Sequence, residues 1–511
     1  MPDLQASIAN HYHERTKYDP ETIASKNKTL DWENQPVPFK EYKIGNTFDL
    51  KPYLSKGTEA SADSTAQNWL RLSRLLLCSY GVTAKLPTMF GSFVYLRAAP
   101  SAGGLYPAEV YLISRGISLL PAGLYNYQPQ THSLVHFWES EVWSDLQAAC
   151  FWHSALESTQ LAIVTTAIFY RSAWRYEDRA YRRIFLDTGH LLGNIELAGA
   201  LNDYRPHLIG GFQDRAMNQL LYLDPDREGA IAVIPLADLL DGKQNLPRGT
   251  AALPSGVQTE YPVIADGELL GYFHQATQID QSETPASADR VSGEISLEDK
   301  YNFPFCLKVS TQTAPINWGE QLSGLESTIL KRRSTRAYSG ADLTLDQLKA
   351  LLNFTYQPQD YLDQELDDSP DYFDLNLLET FVAVSGVTGL EEGCYYYAPK
   401  AQELRQIRFK NFRRELHFLC LGQELGRDAA AVVFHTADLK QAVEKYGDRV
   451  YRYLHMDAGH LGQRLNLAAI YIGLGVSGIG GFFDDQVNEV LGIPEDEAVI
   501  YITTLGCPHR R

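Results

Sequence analysis

Apolar residues recur at helical spacing in two stretches of the chain, 70–80 and 345–356, and each stretch predicts an amphipathic helix. Short runs rich in β-branched and aromatic residues follow each of them and predict strands: AEVYLIS and LYNYQ after the first, TFVAVSG and CYYYA after the second. Longer helices are predicted at about 176–201 and 446–472, and both run into a glycine pair and a short amphipathic helix. We therefore predict the α+β class, with two units that each place helices around a short antiparallel sheet.

The two long predicted helices carry the same sequence motif. YEDRAYRRIFLDTGHL at 176–191 and YGDRVYRYLHMDAGHL at 446–461 share nine of sixteen residues at an offset of 270. The offset also relates GLYNYQP to GCYYYAP, and one GGF loop to the other. So long a period excludes a solenoid repeat. It indicates one ancestral unit that was duplicated and fused, which is a covalent version of a two-fold dimer whose halves share an interface.

Charged residues on these helices are interpreted as structural. Asp178 and Arg182 stand at i,i+4, a spacing that supports a helix, and with Arg179 they are predicted to form ion pairs at the interface. Asp187 and His190 stand at i,i+3 on one face. A metal or proton-relay role would need a third ligand, which the sequence does not supply. We therefore interpret Asp187 and His190, and their counterparts 270 residues on, as a structural pair in a buried helix–helix interface.

Composition divides the chain into four parts. A polar arm covers 1–35 and the first unit covers 36–248. A linker rich in Ser, Thr, Gln and Asp covers 249–315, and within it YPVIADGELLGYF has a strand-like alternation. The second unit covers 316–511.

Charge and cysteine content narrow the choice of partners and location. The net charge of −18 argues against a nucleic-acid or anionic-membrane partner, although one local basic pocket remains compatible with it. The six cysteines are far apart and form no CxxC pair, so we interpret them as buried thiols in a reducing compartment. No signal peptide opens the chain. The long apolar stretch from Leu465 contains several glycines and indicates a buried helix that runs into a glycine loop. A cytoplasmic location is predicted.

Two motifs contain residues suited to bind a ligand. In KRRSTRAYSG (331–340), three arginines surround a serine just ahead of a helix, and guanidinium and hydroxyl groups suit a phosphate. The alternative is a solvated basic stretch. In RAAPSAGGLYP (97–107), a proline stiffens the entry and two glycines let the backbone approach a flat ligand. The alternative is an ordinary glycine turn.

Taken together, these segments resemble the flavin-dependent nitroreductase superfamily, in particular its SagB-type dehydrogenase branch. The order and spacing of the motifs carry the resemblance. In the first half they are HYHERTKYDP, QPVPFKEY, RAAPSAGGLYPAEVYL, GLYNYQP, YEDRAYRRIFLDTGHL and GGF. In the second half they are RRSTRAY, EKYGDRVYRYLHMDAGHL and GGFFDD. The resemblance implies two nitroreductase-like units fused as a pseudo-dimer, with FMN bound at the interface between them.

The resemblance also implies which residues bind FMN. The RRSTRAY motif would hold the phosphate and ribityl chain, the PSAGGLYP loop would cover the isoalloxazine ring, and a glycine loop would offer a backbone donor near N5. A basic residue at the end of the chain would complete the phosphate pocket. The residues assigned in this way are Arg332, Arg333, Ser334, Arg336, Arg97, Pro100, Ser101, Gly103, Gly104, Leu105, Tyr106, Gly480, Gly481, Arg510 and Arg511.

Each unit departs from the family pattern at one motif. The first unit has KGTEASA (56–62) where the arginine motif is expected, and the second has PDYFDLNL (370–377) where the glycine loop is expected. The two losses are complementary, because the resemblance implies that the arginine motif of one unit and the glycine loop of the other meet at one interface site. We therefore predict one intact FMN site per chain and one vestigial site. A fused pair already contains both halves of the dimer interface, so a monomer is predicted.

The resemblance implies a catalytic pair as well. In SagB-type azoline dehydrogenases, a Lys-Tyr pair resembles a proton-transfer element. Lys445 and Tyr446 match this pair in the second unit. The first unit has Arg175 and Tyr176 instead, and an arginine does not release its proton near neutral pH. Sequence alone leaves open which pair faces the intact site, so Lys445, Tyr446 and Tyr176 all remain candidates. For either pair, the alternative is a pair of surface residues on a helix.

Three functions are compatible with these features. The first is an FMN-dependent oxidoreductase that transfers a hydride to or from a small organic molecule or a heterocyclised peptide. The second is an NAD(P)H-dependent nitro- or quinone-reductase. The third is a non-catalytic flavin-binding scaffold subunit. No metal site is predicted.

Overall fold

Helices and strands alternate along the chain in two series. We describe a computed structural model, which covers residues 6–23, 29–55, 64–87, 93–244, 249–279 and 297–509. The helices are α1 Ile8–Thr16, α2 Lys51–Ser55, α3 Ser64–Tyr80, α4 Trp143–Ala149, α5 Ala155–Ser158, α6 Phe169–Tyr176, α7 Ala180–Ala200, α8 Asp214–Leu220, α9 Leu269–Ala276, α10 Ser323–Lys331, α11 Leu345–Tyr356, α12 Arg413–Leu419, α13 Glu424–Asp428, α14 Leu439–Tyr446, α15 Val450–Tyr471 and α16 Asp484–Leu491. The strands are β1 Asn46–Asp49, β2 Val82–Pro87, β3 Phe93–Arg97, β4 Ala108–Ser114, β5 Gly123–Gln128, β6 Ser133–Trp138, β7 Leu161–Ile168, β8 Tyr204–Pro206, β9 Glu228–Asp238, β10 Lys308–Ser310, β11 Leu343–Thr344, β12 Glu379–Val384, β13 Val387–Thr388, β14 Gly393–Ala398, β15 Glu403–Arg408, β16 Ala431–Asp438, β17 Gly475–Ile479 and β18 Glu497–Gly506.

The strands form two seven-stranded sheets of matching order. The first is β1-β6-β5-β4-β7-β9-β8 and the second is β10-β15-β14-β12-β16-β18-β17, with antiparallel neighbours throughout both. Even an irregularity is repeated, because the register shifts between Thr165 and Thr166 in one sheet and between His435 and Thr436 in the other. The predicted α+β fold with two equivalent units is therefore confirmed. The predicted amphipathic helices are α3 and α11, of which α3 begins several residues earlier than predicted.

The two long helices α7 and α15 cross at the centre of the molecule. They meet at Gly189 and Gly459, which stand at the same position of the repeat. A Cβ atom on Gly189 would lie 2.2 Å from the carbonyl oxygen of Met456 and 2.8 Å from Cα of Gly459. Backbone cannot yield to such a contact as a flexible side chain can. Glycine is thus required at this position for the helices to approach, and the predicted buried helix–helix interface is confirmed.

Gly189→Ala is expected to lower the free energy of unfolding by about 1–3 kcal/mol, because the added methyl group forces the two helix backbones apart. Gly271→Ala is the matched control: Gly271 is also helical, in α9, but a Cβ atom there would have nothing within 4 Å. The control should be neutral or stabilising by up to about 1 kcal/mol. Urea denaturation measures both, and equal effects would contradict the close helix crossing.

Buried ion pairs join each unit to the other. Arg179 and Arg182, at the start of α7, reach Asp484 of the second unit at 2.8 and 2.7 Å. Arg182 also donates to the hydroxyl group of Thr16 in α1. The repeat supplies the same set in reverse, with Arg449 and Arg452 on Asp214 at 2.6 and 2.8 Å and Arg452 on Thr277 beside α9.

The arginines therefore form ion pairs between the units, but Asp178 does not pair with Arg182 as predicted. Asp178 instead accepts backbone N–H groups of Gly267 and Leu270, at 2.7 and 2.9 Å. The spacing of i,i+4 gives proximity only within a continuous helix, and Asp178 lies before the first residue of α7.

Two further expectations are corrected by the structure. The stretch YPVIADGELLGYF is not a strand; it contains no strand and leads into α9, whose buried Leu269, Leu270 and Phe273 follow helical spacing. Cys306 and Cys507 are only partly buried, whereas the other four cysteines are buried as expected. The apolar stretch from Leu465 continues α15 as predicted, but part of the segment predicted to be a glycine loop is the strand β17, which pairs with β18. Within the described residues, no helix has the length and apolar character needed to cross a membrane.

Candidate functional site

A cleft lies between the two units, beside the crossing of the long helices. Its inner part has about 600 Å³ of space, including the part open to solvent. The first unit contributes the loop 100–103 and the α7 side chains of Arg183, Asp187 and His190. The second unit contributes Ser334, Arg336, Ser477, Gly478, Gly480 and Tyr501. A cleft lined by several convergent polar groups from both units has the properties of a small-molecule site.

The arginine motif forms one wall of the cleft. Ser334 and the exposed Arg336 line it. Arg332 is buried and donates to the backbone oxygens of Ala98 and Arg97 at 2.6 and 3.1 Å. Arg333 donates to the hydroxyl group and backbone oxygen of Thr83 at 3.0 and 3.1 Å. Both therefore hold the second unit against the loop and hairpin of the first.

This wall carries positive charge without a matching carboxylate. Within the described ranges, no ion pair is formed by Arg332, Arg333 or Arg336, and Nη1 of Arg332 is buried without a hydrogen-bond partner. Burial lowers the pKa of Arg332 to about 10, with a further contribution from its neighbours Arg333 and Arg336. Clustered guanidinium groups that lack counter-ions favour an anionic ligand.

The loop 100–104 forms the opposite wall and is anchored to α7. Ser101 Oγ donates to Asp187 at 2.5 Å, and the backbone N–H of Ala102 donates to the same carboxylate at 3.0 Å. Burial raises the pKa of Asp187 to about 7. Gly103 has φ 65°, and a Cβ atom there would lie 2.8 Å from Oη of Tyr176. Glycine is thus required both by the backbone conformation and by the nearby phenol.

Four residues assigned to the same segment, Arg97, Gly104, Leu105 and Tyr106, do not line the cleft. Arg97 is fully buried, with its guanidinium 4.3 Å from the ring centre of Tyr80 and 4.7 Å from that of Tyr106. Leu105 and Tyr106 are buried in the first unit. Gly104 is exposed at the rim of the loop, again with a positive φ. Arg97 therefore supports the loop from behind, which the sequence pattern did not distinguish from contact with a ligand.

Arg183 is a cleft residue that the sequence analysis missed. Its guanidinium lies 3.6 Å from the ring centre of Tyr176, and it donates to the backbone oxygen of Gly480 at 3.2 Å. The side chain is buried, and Nη1 has no hydrogen-bond partner among the described residues. A signal was present in the sequence, since this position holds Tyr453 in the other copy of an otherwise well-matched motif.

The glycine loop that faces Arg183 approaches the cleft closely. A Cβ atom on Gly480 would lie 3.0 Å from Nε of Arg183, and one on Gly481 would lie 3.1 Å from Leu421. Side chains at these positions would narrow the cleft, so the glycines leave backbone accessible to a ligand.

His190 and Tyr501 form the floor of the cleft. The two rings are joined by a hydrogen bond of 2.8 Å, and the second ring nitrogen of His190 contacts Gln463 at 2.9 Å. Burial lowers the pKa of His190 to about 4, so the imidazole is neutral at pH 7. Asp187 and His190 are both buried in the interface as predicted, but they bond to different partners rather than to each other.

The cleft contains the first unit's Arg-Tyr pair. Arg175 and Tyr176, at the end of α6, line an outer chamber that continues from the inner cleft past Gly103 and Gly480. Lys445 and Tyr446 lie at the second interface instead. There Lys445 Nζ stands 2.5 Å from Asp374, and Tyr446 donates to the same carboxylate at 3.1 Å. The two catalytic candidates of the second unit are therefore not on the same side of the molecule as the arginine motif.

The equivalent space at the second interface is filled by side chains. Phe373 stacks on Tyr453 with ring centres 4.6 Å apart, and a Cβ atom on Gly210 would lie 2.2 Å from the Phe373 ring. Tyr453 also donates to the backbone oxygen of Leu253 at 2.9 Å, and Leu253 fills the space beside Gly211. Within the described residues, the two positions related by the repeat therefore differ, because one is an open cleft and the other is packed with side chains.

Some of the predicted residues fall outside the part of the chain that the structure describes. Two of them are Arg510 and Arg511, which were assigned to the end of the phosphate pocket. The segment 56–62, which replaces the arginine motif in the first unit, also lies outside it.

Both units match the nitroreductase family, over residues 71–237 and 329–507. Two matches to one family, together with two copies of one fold around an inter-unit cleft, define the class of protein. The chain belongs to the nitroreductase family and contains two units of it in tandem.

Some known proteins are similar to the whole chain and others to about one third of it. A crystal structure of a "putative nitroreductase" from Anabaena variabilis covers 99% of this chain and 100% of its own, with 74% identity and a TM-score of 0.93. A "putative nitroreductase" of Methanocaldococcus jannaschii is 34% identical over 171 residues, which are 34% of this chain and 85% of that protein. The microcin B17-processing protein McbC of Escherichia coli is 27% identical over 156 residues, which are 29% of this chain and 56% of that protein.

Proposed function

We propose that the protein is an FMN-dependent oxidoreductase with one flavin per chain, bound in the open cleft between the two units. The observation that carries this proposal is the wall of Ser334 and Arg336, which has no counter-ion among the described residues and faces a glycine-containing loop of the other unit. The other interface, whose corresponding space is packed with Phe373 and Tyr453, would hold none. Because both halves of the site are present in one chain, we propose that a monomer is sufficient.

The residues of the cleft fit such a cofactor. Ser334 and Arg336 would hold its phosphate, with the buried Arg332 adding positive charge. The loop 100–104 would cover the ring from the side of the first unit. The accessible backbone at Gly480 would supply a donor for the ring's polar edge. The flavin, when bound, would supply hydride transfer, while the protein positions the substrate and adjusts the charge around the ring.

Arg175 and Tyr176 are the residues that would act on the substrate beside the flavin. Tyr176 lies at the boundary between the inner cleft and the outer chamber, where its hydroxyl group can donate a proton or hydrogen bond. Arg175 stays charged and cannot act as a base near neutral pH. The cleft thus lacks the lysine of the Lys-Tyr pair expected for azoline oxidation. We propose a small organic substrate or modified peptide, and the similarity to McbC supports the SagB-type branch.

Flavin stoichiometry tests the proposal. Flavin is extracted from the purified protein, identified chromatographically and counted against the chain, before and after reconstitution with FMN. A ratio near one is expected. A ratio near two would contradict the asymmetry between the interfaces, and a ratio near zero after reconstitution would contradict the cofactor.

The second candidate is reduction of nitro or quinone compounds with NAD(P)H as the reductant. It is favoured by the positive charge around the outer chamber, since a molecule that accepts a hydride gains negative charge that Arg175 would stabilise. Anaerobic mixing of the FMN-loaded protein with NADPH tests it. Bleaching of the flavin absorbance supports a reductase, and unchanged absorbance favours a different hydride donor.

A further inference from the structure

The second interface displays a carboxylate bound by the counterpart of the Arg-Tyr pair. Lys445 and Tyr446 both contact one oxygen of Asp374, at 2.5 and 3.1 Å. Asp374 belongs to the loop that corresponds to the glycine loop of the first unit. At the second interface, a cation and a phenol at the end of α14 therefore bind a carboxylate from the loop that faces them.

At the open cleft, the same position of the loop carries no anion. At the offset of 270, the counterpart of Asp374 is Gly104. Gly104 is exposed, and a Cβ atom there would meet nothing within 4 Å. Arg175 and Tyr176 are retained as a cation and a phenol, yet no carboxylate pairs with Arg175 among the described residues. Among the described residues, no loop side chain of the first unit therefore pairs with Arg175 and Tyr176 as Asp374 pairs with Lys445 and Tyr446.

Arg183 adds a second guanidinium group beside Arg175 and Tyr176. It packs on the Tyr176 ring, lines both the inner cleft and the outer chamber, and keeps a buried N–H group without a partner. Arg175 lies 5.6 Å from the centre of the same ring. Of the other arginines that line the chamber, Arg179 pairs with Asp484 and Arg15 pairs with Asp266, whereas Arg336 belongs to the wall that would hold the phosphate.

We propose that Arg175, Tyr176 and Arg183 form an oxyanion subsite in the outer chamber, which recognises the carboxylate or phosphate group of the substrate. The subsite rests on the proposed function for its position beside the flavin. Its chemistry is that of charge-assisted hydrogen bonds from guanidinium and phenol groups to an anionic oxygen. The anion takes the place, relative to the helix pair, that Asp374 takes at the second interface.

Calorimetric titration with benzoate tests the subsite, with benzamide as the neutral probe of the same shape. Benzoate is expected to bind roughly tenfold or more tightly than benzamide. Arg175→Gln and Tyr176→Phe should remove that preference, while Arg175→Lys should retain it. Lys445→Gln and Tyr446→Phe are matched controls at the other interface and should leave benzoate binding unchanged. Benzoate binding that is equal in the wild type and Arg175→Gln would overturn the proposal.

A substitution in the loop tests the same idea from the opposite side. Gly104→Asp should supply an internal carboxylate, as Asp374 does, and should abolish benzoate binding. Gly104→Asn is the control, because asparagine tolerates a positive φ about as well as aspartate but carries no charge. Retention of benzoate binding in Gly104→Asp would contradict the inferred position of the subsite.

The source of the anion is distinguished by comparing NADPH with NADH. If the subsite holds the 2′-phosphate of a dinucleotide, a preference for NADPH is expected in the wild type and should disappear in Arg175→Gln. If the subsite holds the carboxylate of an organic acid, only benzoate binding should change. Calorimetry with benzoate needs no flavin. Failure of the protein to bind FMN would therefore contradict the proposed function, while the benzoate titration would still test the subsite.

Discussion

Asp484→Asn is expected to lower the free energy of unfolding by about 3–5 kcal/mol, the largest effect of any substitution considered for this protein. The carboxylate is the shared partner of Arg179 and Arg182 at 2.8 and 2.7 Å, and all three side chains are almost completely buried. Removal of its charge leaves two guanidinium groups buried between the units without a counter-ion. Urea denaturation at pH 7, followed by tryptophan fluorescence, measures the change.

The neighbouring residue provides a matched control. Asp485 also pairs with a cation, Lys17, at 2.6 Å, but its side chain is 69% exposed. Asp485→Asn should therefore cost less than about 1 kcal/mol. Equal costs for Asp484→Asn and Asp485→Asn would contradict the assignment of Asp484 to a buried ion-pair cluster between the units.

The same cluster predicts a dependence on pH. Burial by itself would raise the pKa of Asp484, but Arg179 and Arg182 outweigh it, so the pKa is lowered overall. A carboxyl group with a depressed pKa in the folded state stabilises the fold above its unfolded pKa of about 3.9, and this stabilisation is lost as pH falls through the folded value. The difference in stability between the wild type and Asp484→Asn should therefore be constant from pH 5 upward and should shrink below about pH 4.

Arg336→Ala is expected to weaken FMN binding by roughly 10–100-fold, which corresponds to about 1.5–3 kcal/mol for one charge-assisted contact. Arg336 is the one exposed guanidinium of the arginine motif that lines the cleft. Quenching of flavin fluorescence on titration of the flavin-free protein measures the affinity.

Lys331→Ala controls for the loss of positive charge in the same segment. Lys331 is exposed at the end of α10 and does not line the cleft. Its replacement should leave FMN affinity nearly unchanged. If Lys331→Ala and Arg336→Ala weaken binding equally, the effect would come from the net charge of the segment and the phosphate would lie elsewhere.

The repeat made much of the fold predictable. Runs of β-branched and aromatic residues in AEVYLIS and CYYYA identified β4 and β14, and helical spacing identified α3 and α11, because these preferences act locally along the chain. Local pattern failed where contacts come from far along the chain. Asp178 was assigned to Arg182 by spacing, but its partners are backbone groups near residue 267, at the start of α9.

The candidate site was only partly predictable for the same reason. Ser334, Arg336, Gly103 and Gly480 line one cleft as their motifs indicated. Arg97 belongs to the same motif as Gly103 but faces the interior, since the chain direction at the end of β3 determines where each side chain points. Arg183 was missed because a single arginine inside a repeated helix gives no signal until its neighbours in space are known.

The sequence by itself determined that the protein is a duplicated pair of α+β units and that the arginine motif and the glycine loop each occur in only one of the two copies. Those properties are recorded in the order of residues, and comparison of one copy with the other reveals them. Only the tertiary structure decided which surfaces meet. It brings Arg175 and Tyr176, not Lys445 and Tyr446, to the open cleft, and it fills the second interface with Phe373. The crossing of α7 and α15 determines which loop of one unit faces which helix of the other. These residues are far apart in the sequence, so no local pattern predicts their contact.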